Sequence, residues 1–323
     1  MSDAADDDLD FLGMAARPLA PALAPPSHAP AQAPPSHAPA QARAEESAEP
    51  LPYDPQLALR FFRVAGNQET IVAGTRIFAE QEQAGLLSRA RVYLLLEGEV
   101  SMTLGGRPLA MMLPGETFGE LAVISDAPRS ATATARKNCR LLSLDHKQFL
   151  ASLKQEPEFA LMLISMMAER LRRSVEKLLA TSTAPIAPST RVQGLSRVDV
   201  AEVAHIIGKT APSPMKAGDA LIAKGALGAM MFVLVAGQVA TAIDGRVVEY
   251  LGPGGIFGET AMLGKVRRGA SVTAQTDGAW LPLTRNDFLR VVAANPAIGV
   301  ALLRSMSERI RMTADQIRAH RPA

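Results

Sequence analysis

The sequence predicts a mainly β fold with α: two tandem jelly-roll β-barrels, each followed by a C-terminal helix. Three observations carry that expectation. The body of the chain repeats itself, second-copy positions equalling first-copy positions plus 139. Each copy contains many short apolar runs separated by Gly and Asp turns, the pattern of a small antiparallel barrel. Each copy then ends in a long stretch with apolar residues at helical spacing.

The repeat reads without gaps over most of its length. Gly98 maps to Gly237, Pro114 and Gly115 to Pro253 and Gly254, Phe118 to Phe257, and Arg129 to Arg268. Downstream, Phe149, Pro157 and Glu169 map to Phe288, Pro296 and Glu308. Before the loop at 79–91 the offset becomes 144, pairing Gly74 with Gly218 and Phe78 with Ile222, so the first copy carries five extra residues there.

Taken in order, residues 1–52 form an Ala- and Pro-rich tail with the nonapeptide PPSHAPAQA repeated at 25–33 and 34–42. Such a composition cannot bury enough apolar surface to fold, so the tail is expected to be disordered. Its five Asp and three Glu against Arg17 and Arg43 give −6, leaving +8 on the remainder of a chain whose total is +2. That balance suits anionic ligands or partners. Within the tail, residues 6–17 (DDDLDFLGMAAR) would gather Leu9, Phe11, Leu12 and Met14 on one side of a helix, either a docking motif for an unknown protein partner or an ordinary solvated terminus.

Residues 53–179 are the first domain, with a short helix at 57–64, strands that include 92–96, 100–104 and 140–144, a helix from near Lys147 and a long helix over 158–179. The Pro-, Ser- and Thr-rich stretch 180–197 reads as a linker. Residues 198–323 are the second domain, with a helix at 198–208, strands that include 232–235, 239–243 and 279–283, a helix from near Asn286 and a long one over 297–319. The Met and Leu faces of the two long helices read as core or helix-pairing surface. The arginines among them, at 170, 172 and 173 and at 304, 309 and 311, could reach a ligand, with no sign of which.

Composition removes several function classes. A lone Cys139 excludes an internal disulfide framework and an iron–sulfur cluster held by several cysteines. His28, His37, His146, His205 and His320 show no metal-ligand grouping, so no metal, no haem, no cofactor and no catalysis are expected. No stretch approaches the roughly 20 apolar residues of a membrane helix. The acidic amino terminus is unlike a secretory signal, and a cytoplasmic protein without a membrane partner is expected.

The candidate chemistry lies in residues 118–132, FGELAVISDAPRSAT. Gly119 permits a tight turn out of the preceding strand, and residues 120–124 make only a short helix before Ser125, Asp126 and Pro128 interrupt it. Unpaired N–H groups at the start of that helix attract an anion, and Arg129, returning after the turn, can fork two donors onto phosphate oxygens. Glu120 is then free to accept from a sugar hydroxyl. Ala122, Ser130 and Ala131 are small enough to let a ligand approach the main chain. A phosphorylated sugar fits all of these; the alternative is that Glu120 and Arg129 form a surface ion pair.

These residues resemble the phosphate-binding cassette of cyclic nucleotide-binding domains, as found in protein kinase A regulatory subunits and the effector domain of catabolite activator protein. The resemblance implies the cyclic nucleotide-binding fold, in which the C-terminal helix acts as a lid. It implies that Glu120 holds the ribose 2′-hydroxyl and Arg129 the cyclic phosphate, with Gly119, Leu121, Ala122, Ser130 and Ala131 around them. At the second site it implies Gly258, Glu259, Thr260, Ala261, Arg268, Gly269 and Ala270. There Arg267 stands in place of the usual proline and Gly269 follows the arginine, so the second turn is expected to be more flexible and its site weaker. In the family a hydroxyl after the arginine can reach a syn guanine; Ser130 offers one and Gly269 does not, and cAMP is favoured over cGMP.

The expected function is therefore a non-catalytic cyclic-nucleotide receptor that couples ligand binding to a protein partner. No helix-turn-helix or other DNA-binding domain fits after the second lid helix, and the tail lacks the Arg-Arg-x-Ala/Ser sequence of a kinase inhibitor. The alternatives are a scaffold that uses the domains for packing and the tail for docking, or a receptor for a cyclic dinucleotide. The oligomeric state is left open.

Overall fold

The computed structural model describes residues 53–83, 90–125, 127–181, 194–208, 211–259, 262 and 267–319. The tail, including the candidate docking motif at 6–17, lies outside the described residues, as do Thr260, Ala261 and most of the linker.

The first copy runs α1 (Pro55–Ala65), β1 (Asn67–Ile71), β2 (Arg76–Phe78), β3 (Arg91–Glu97), β4 (Val100–Leu104), β5 (Arg107–Met112), β6 (Thr117–Phe118), α2 (Glu120–Ser125), β7 (Thr132–Ala135), β8 (Cys139–Asp145), α3 (His146–Gln155) and α4 (Glu158–Thr181). The second runs α5 (Arg197–Ile206), β9 (Ser213–Met215), β10 (Ala220–Ile222), β11 (Met230–Ala236), β12 (Val239–Ile243), β13 (Arg246–Leu251), β14 (Ile256–Phe257), β15 (Ser271–Ala274), β16 (Gly278–Thr284), α6 (Arg285–Ala294) and α7 (Pro296–Ala319).

Each copy folds into two four-stranded antiparallel sheets. The first copy has the orders β1-β8-β3-β6 and β2-β7-β4-β5, and the second has β9-β16-β11-β14 and β10-β15-β12-β13. The two sets correspond strand for strand, so the sequence repeat is a repeat of topology and the expected pair of jelly rolls is present. Equivalent positions keep equivalent registers: Met102 faces Ala110 across β4 and β5, and Thr241 faces Glu249 across β12 and β13.

The helices start where the side chains can cap them. Asp145 accepts from the Gln148 N–H to begin α3, and Thr284, at the repeat position, accepts from the Asp287 N–H to begin α6. Each forms a reciprocal capping box, which satisfies two otherwise orphaned donors.

Each barrel has its own apolar filling. Phe78, Tyr93, Leu95, Val100 and Phe118 occupy the first, and Phe232, Leu234, Val239 and Phe257 the second. The helices behave differently, because those of both copies bury their apolar faces in one common core. Phe61 stacks on Phe159 with ring centroids 3.8 Å apart and meets Phe149 edge-on at 5.3 Å. This aromatic cluster is continuous with Leu161, Ile164, Phe288, Leu302, Leu303 and Met306. The expected core role of Leu161, Met162, Ile164 and Met167 is what the structure gives them, while Met166 stays exposed. A polar tie adds to the packing: Arg304 of α7 donates through Nε to the Ile124 carbonyl of α2 at 3.1 Å.

A shared helical core makes the two copies one cooperative unit. Phe61→Ala removes a fully buried ring and is expected to destabilise the chain by about 3–5 kcal/mol. Scanning calorimetry should show one transition in both parent and variant, shifted down in the variant; two separate transitions, with only one of them shifted, would contradict the common core.

Candidate functional site

Chain geometry places an arginine inside each barrel. In the first copy the main chain of Arg129 is held from both sides: Gln81 N–H donates to its carbonyl at 2.9 Å, and its own N–H donates to the Glu82 carbonyl at 2.9 Å. In the second copy Gly225 N–H donates to the Arg268 carbonyl at 2.8 Å, and Arg268 N–H donates to the Ala226 carbonyl at 2.9 Å. With the backbone pinned, the side chain runs inward, and both arginines are only 7% exposed.

The guanidinium then meets the glycine that opens the cassette. Arg129 Nη1 donates to the Gly119 carbonyl at 3.0 Å, and Arg268 Nη1 to the Gly258 carbonyl at 2.6 Å. Gly119 has φ +81° and Gly258 φ +75°, and a Cβ at either would lie within 2.8 Å of the guanidinium. Glycine is therefore required twice over, by the left-handed backbone and by the close approach. An aromatic face supports each cation, Phe78 with its centroid 4.1 Å from Arg129 and Phe232 at 5.6 Å from Arg268. Burial depresses the pKa of both arginines, with Tyr93, Glu82 and Glu120 opposing this at Arg129 and Glu259 opposing it at Arg268.

In the first copy Gly119, Glu120, Leu121, Ala122, Arg129, Ser130 and Ala131 all line one cavity of about 50 Å³. Arg170 of α4 closes it beside Glu120, and the Arg170 Nε is buried without a hydrogen-bond partner. Burial pushes the Glu120 carboxyl up; its own backbone N–H, then Arg170, then Arg129 pull it back. At that volume the cavity is too small for a nucleotide without rearrangement, since pockets for small ligands run to roughly 300–1,000 Å³.

The second cavity is larger, at about 840 Å³, and is lined by Gly258, Glu259, Arg268, Gly269 and Ala270. Arg268 makes a further bond there, Nη2 to the Met230 carbonyl at 2.7 Å. That approach is possible because residue 228 is glycine, where a Cβ would stand 2.3 Å from Nη2. At the end of the second turn Arg267 donates through Nη1 to the Gly225 carbonyl at 2.9 Å, while residues 263–266 lie outside the described residues. One wall of this cavity comes from the first copy, through Leu171, Val175 and Leu178 of α4.

Of the arginines on the two long helices, Arg170 lines the first cavity, and Arg309, its repeat mate, lines the second. Arg309 is buried and bridges two carboxylates, Nη1 to Glu259 at 2.9 Å and Nη2 to Glu249 at 2.8 Å. Burial alone would depress the Arg309 pKa, but the two carboxylates more than reverse that. Glu249 is pushed up by burial and by Glu259, against the pull of Arg309. Sequence reasoning missed Glu249, although a glutamate standing where the first copy has Ala110 was a visible signal. Among the described residues no cluster of His, Cys, Asp or Glu could hold a metal ion, and no helix is long and apolar enough to cross a membrane.

Comparison with known proteins bears directly on this geometry. The family model described as "Cyclic nucleotide-binding domain" matches residues 68–156 and 213–295, together just over half of the chain. A cAMP-dependent protein kinase regulatory subunit from Eremothecium gossypii is 28% identical over 201 residues, covering 62% of this chain and 39% of that protein. A cyclic AMP receptor protein from Thermus thermophilus is 34% identical over 128 residues, covering 38% of this chain and 55% of that one. A cGMP-dependent protein kinase from Drosophila melanogaster is 26% identical over 211 residues, covering 62% of this chain and 17% of that one. The chain thus spans little more than half, or less, of the length of each of these relatives.

Gly119→Ala should cost about 1–2 kcal/mol from the left-handed backbone alone, before the displacement of Arg129 is counted. Urea denaturation is expected to show a lower midpoint at unchanged slope, and an unaltered midpoint would show that the cassette does not depend on this approach.

Proposed function

The chain belongs to the cyclic nucleotide-binding domain family, and from that premise we propose that it is a non-catalytic receptor for a cyclic nucleotide, cAMP ahead of cGMP, coupling occupancy to a protein partner. The observation that carries the reading is the pairing, in each copy, of one buried guanidinium and one carboxylate on the wall of a common cavity. Among the described residues Arg129 and Arg268 have no carboxylate in direct contact; their hydrogen bonds go to main-chain carbonyls. A phosphate oxygen replaces such a carbonyl with a charge-assisted partner, shorter and roughly twice as strong. Glu120 and Glu259 stand one residue after the glycine, where they accept from sugar hydroxyls. The roles of Leu121, Ala122, Ser130 and Ala131, and of Gly269 and Ala270, are to admit the ligand close to the main chain.

Two of the three relatives above carry cyclic AMP in their names, which supports cAMP as the ligand. Their names also support a regulatory rather than catalytic role. Entry of a nucleotide into the small first cavity has to move Arg170, which lines it together with Glu120 and sits on α4. That helix packs against α7 in the common core, so its displacement is felt by both copies. The ligand acts by favouring the displaced arrangement over the closed one, through its differential affinity for the two.

Titration of the full chain with cAMP, cGMP and cyclic di-GMP tests the ligand class. Arg129→Ala removes a contact to a charged group worth about 1.5–3 kcal/mol, which is about a 10- to 150-fold loss of affinity at the first site. Unchanged cAMP binding in Arg129→Ala, Arg268→Ala by calorimetry would defeat the assignment. Capture of protein partners with and without cAMP tests the coupling, and identical partners in both would favour a scaffold.

A further inference from the structure

The two cavities share a backbone and differ in charge. In the first, Arg129 and Arg170 face a single carboxylate on the cavity wall, Glu120, with Glu82 acting on Arg129 only from the exposed loop before it. In the second, Arg268 and Arg309 face two, Glu259 and Glu249. The difference arises on the hairpin floor, where Met102 and Ala110 of the first copy are replaced, in the same register, by Thr241 and Glu249. Both replacements are deeply buried, Thr241 at 7% and Glu249 at 6% exposure. The Thr241 hydroxyl lines the cavity without a hydrogen-bond partner.

A cyclic nucleotide brings one negative charge. It takes the first cavity from one excess positive charge to neutrality. The same ligand takes the second from neutrality to one excess negative charge, and an uncompensated buried charge is resisted by several kcal/mol. Of the other charges around the second cavity, only Arg267 lacks an acidic partner among the described residues, and it is exposed to solvent, where screening weakens its pull on a buried charge. On α4, Arg172 and Arg173 are paired with Glu169, and Arg172 also with Glu176. Lys224 is paired with Asp244, and Arg267 is exposed at the rim. On β13 itself Arg246 reaches the Leu179 carbonyl, and on α7 Thr313 donates to the Arg309 carbonyl. The remaining route to neutrality is a proton on one of the two carboxylates. Glu259 is the one placed to take sugar hydroxyls, which leaves Glu249.

We propose that the second site takes its cyclic nucleotide together with one proton, carried by Glu249, so that the two sites of one chain answer differently to pH. The inference rests on the receptor reading above and adds to it a residue that sets the ligand charge the second site accepts. Burial and the neighbouring Glu259 already push the Glu249 carboxyl upward, in the direction the linkage needs. Above the free-state pKa of Glu249, affinity at the second site should fall about tenfold per pH unit, because one proton is bound with each ligand. The first site, with no second carboxylate, should stay flat over the same range.

The test uses the full chain with cAMP as probe. Arg129→Ala isolates the second site and Arg268→Ala the first. Calorimetry in two buffers of different ionisation enthalpy counts the protons taken up. About one proton per ligand is expected at the second site and none at the first. In the Arg129→Ala background, Glu249→Gln should abolish the uptake, flatten the pH profile and bind more tightly than its parent at alkaline pH. Glu249→Ala, which restores the residue at the repeat position, should do the same if the glutamine variant folds poorly. Binding at the second site without proton uptake, and with a pH profile unchanged by either substitution, overturns this inference and leaves the receptor reading standing. Absence of cAMP binding at both sites in the parent chain overturns the two together.

Discussion

A buried guanidinium is the constraint around which each barrel is arranged. Taking a charged group out of water is unfavourable by several kcal/mol unless something compensates it. At Arg129 and Arg268 the compensation is a carbonyl from the cassette glycine, an aromatic face and a carboxylate nearby, none of which is a full ion pair in contact. The arrangement persists because the arginine backbone is bonded on both sides to the loop before it and the barrel around it is packed with Phe78, Tyr93 and Phe118, or with Phe232 and Phe257. A cation held this way keeps most of its capacity for an anion, and the barrel cannot collapse to quench it.

The helices turn two such barrels into one device. On α4, Arg170 projects into the first cavity while Leu171 and Val175 wall the second. On α7, Arg309 holds the second cavity and Arg304 is bonded to the cassette helix of the first. Each long helix therefore touches both sites, and neither can shift without disturbing a surface that the other site uses. Because the aromatic cluster beneath them is close-packed, the helices have few ways to move independently.

Much of this was legible in the chain. The constant offset of 139 gave the duplicated topology, and the cassette spacing named seven residues that the structure gathers on one cavity. The lid arginine was not legible, since Arg170, Arg172 and Arg173 look alike along the helix. Only the packing separates them: Arg172 and Arg173 pair with Glu169 beside the second cavity, and Arg170 turns to the first barrel. The common helical core was equally hidden, because an apolar helix face reads the same whether it covers its own barrel or another helix. Glu249 was hidden by a different route. Strand β13 reads as a mixed edge strand, yet alternation places Glu249 in phase with buried Leu251, and a carboxylate in the apolar phase of a strand is a signal in its own right.

The duplication also shows how little is needed to make two sites unlike. The hairpins under the two cavities hold the same register, so the backbone contributes nothing to the difference there. On the hairpin floor they differ at one cross-strand pair, in which a methyl group and a thioether give way to a carboxylate and a hydroxyl. In water that exchange would be slight. Inside a barrel, where screening is weak, a single added carboxylate captures half of the lid arginine and alters the charge the cavity can accept. In the first copy Arg170 lines the cavity beside one carboxylate; in the second Arg309 is held between two, with β13 supplying one of them. Charge placement on the hairpin floor thus sets which partners the α7 arginine finds, while the wall supplied by α4 sets the room around it.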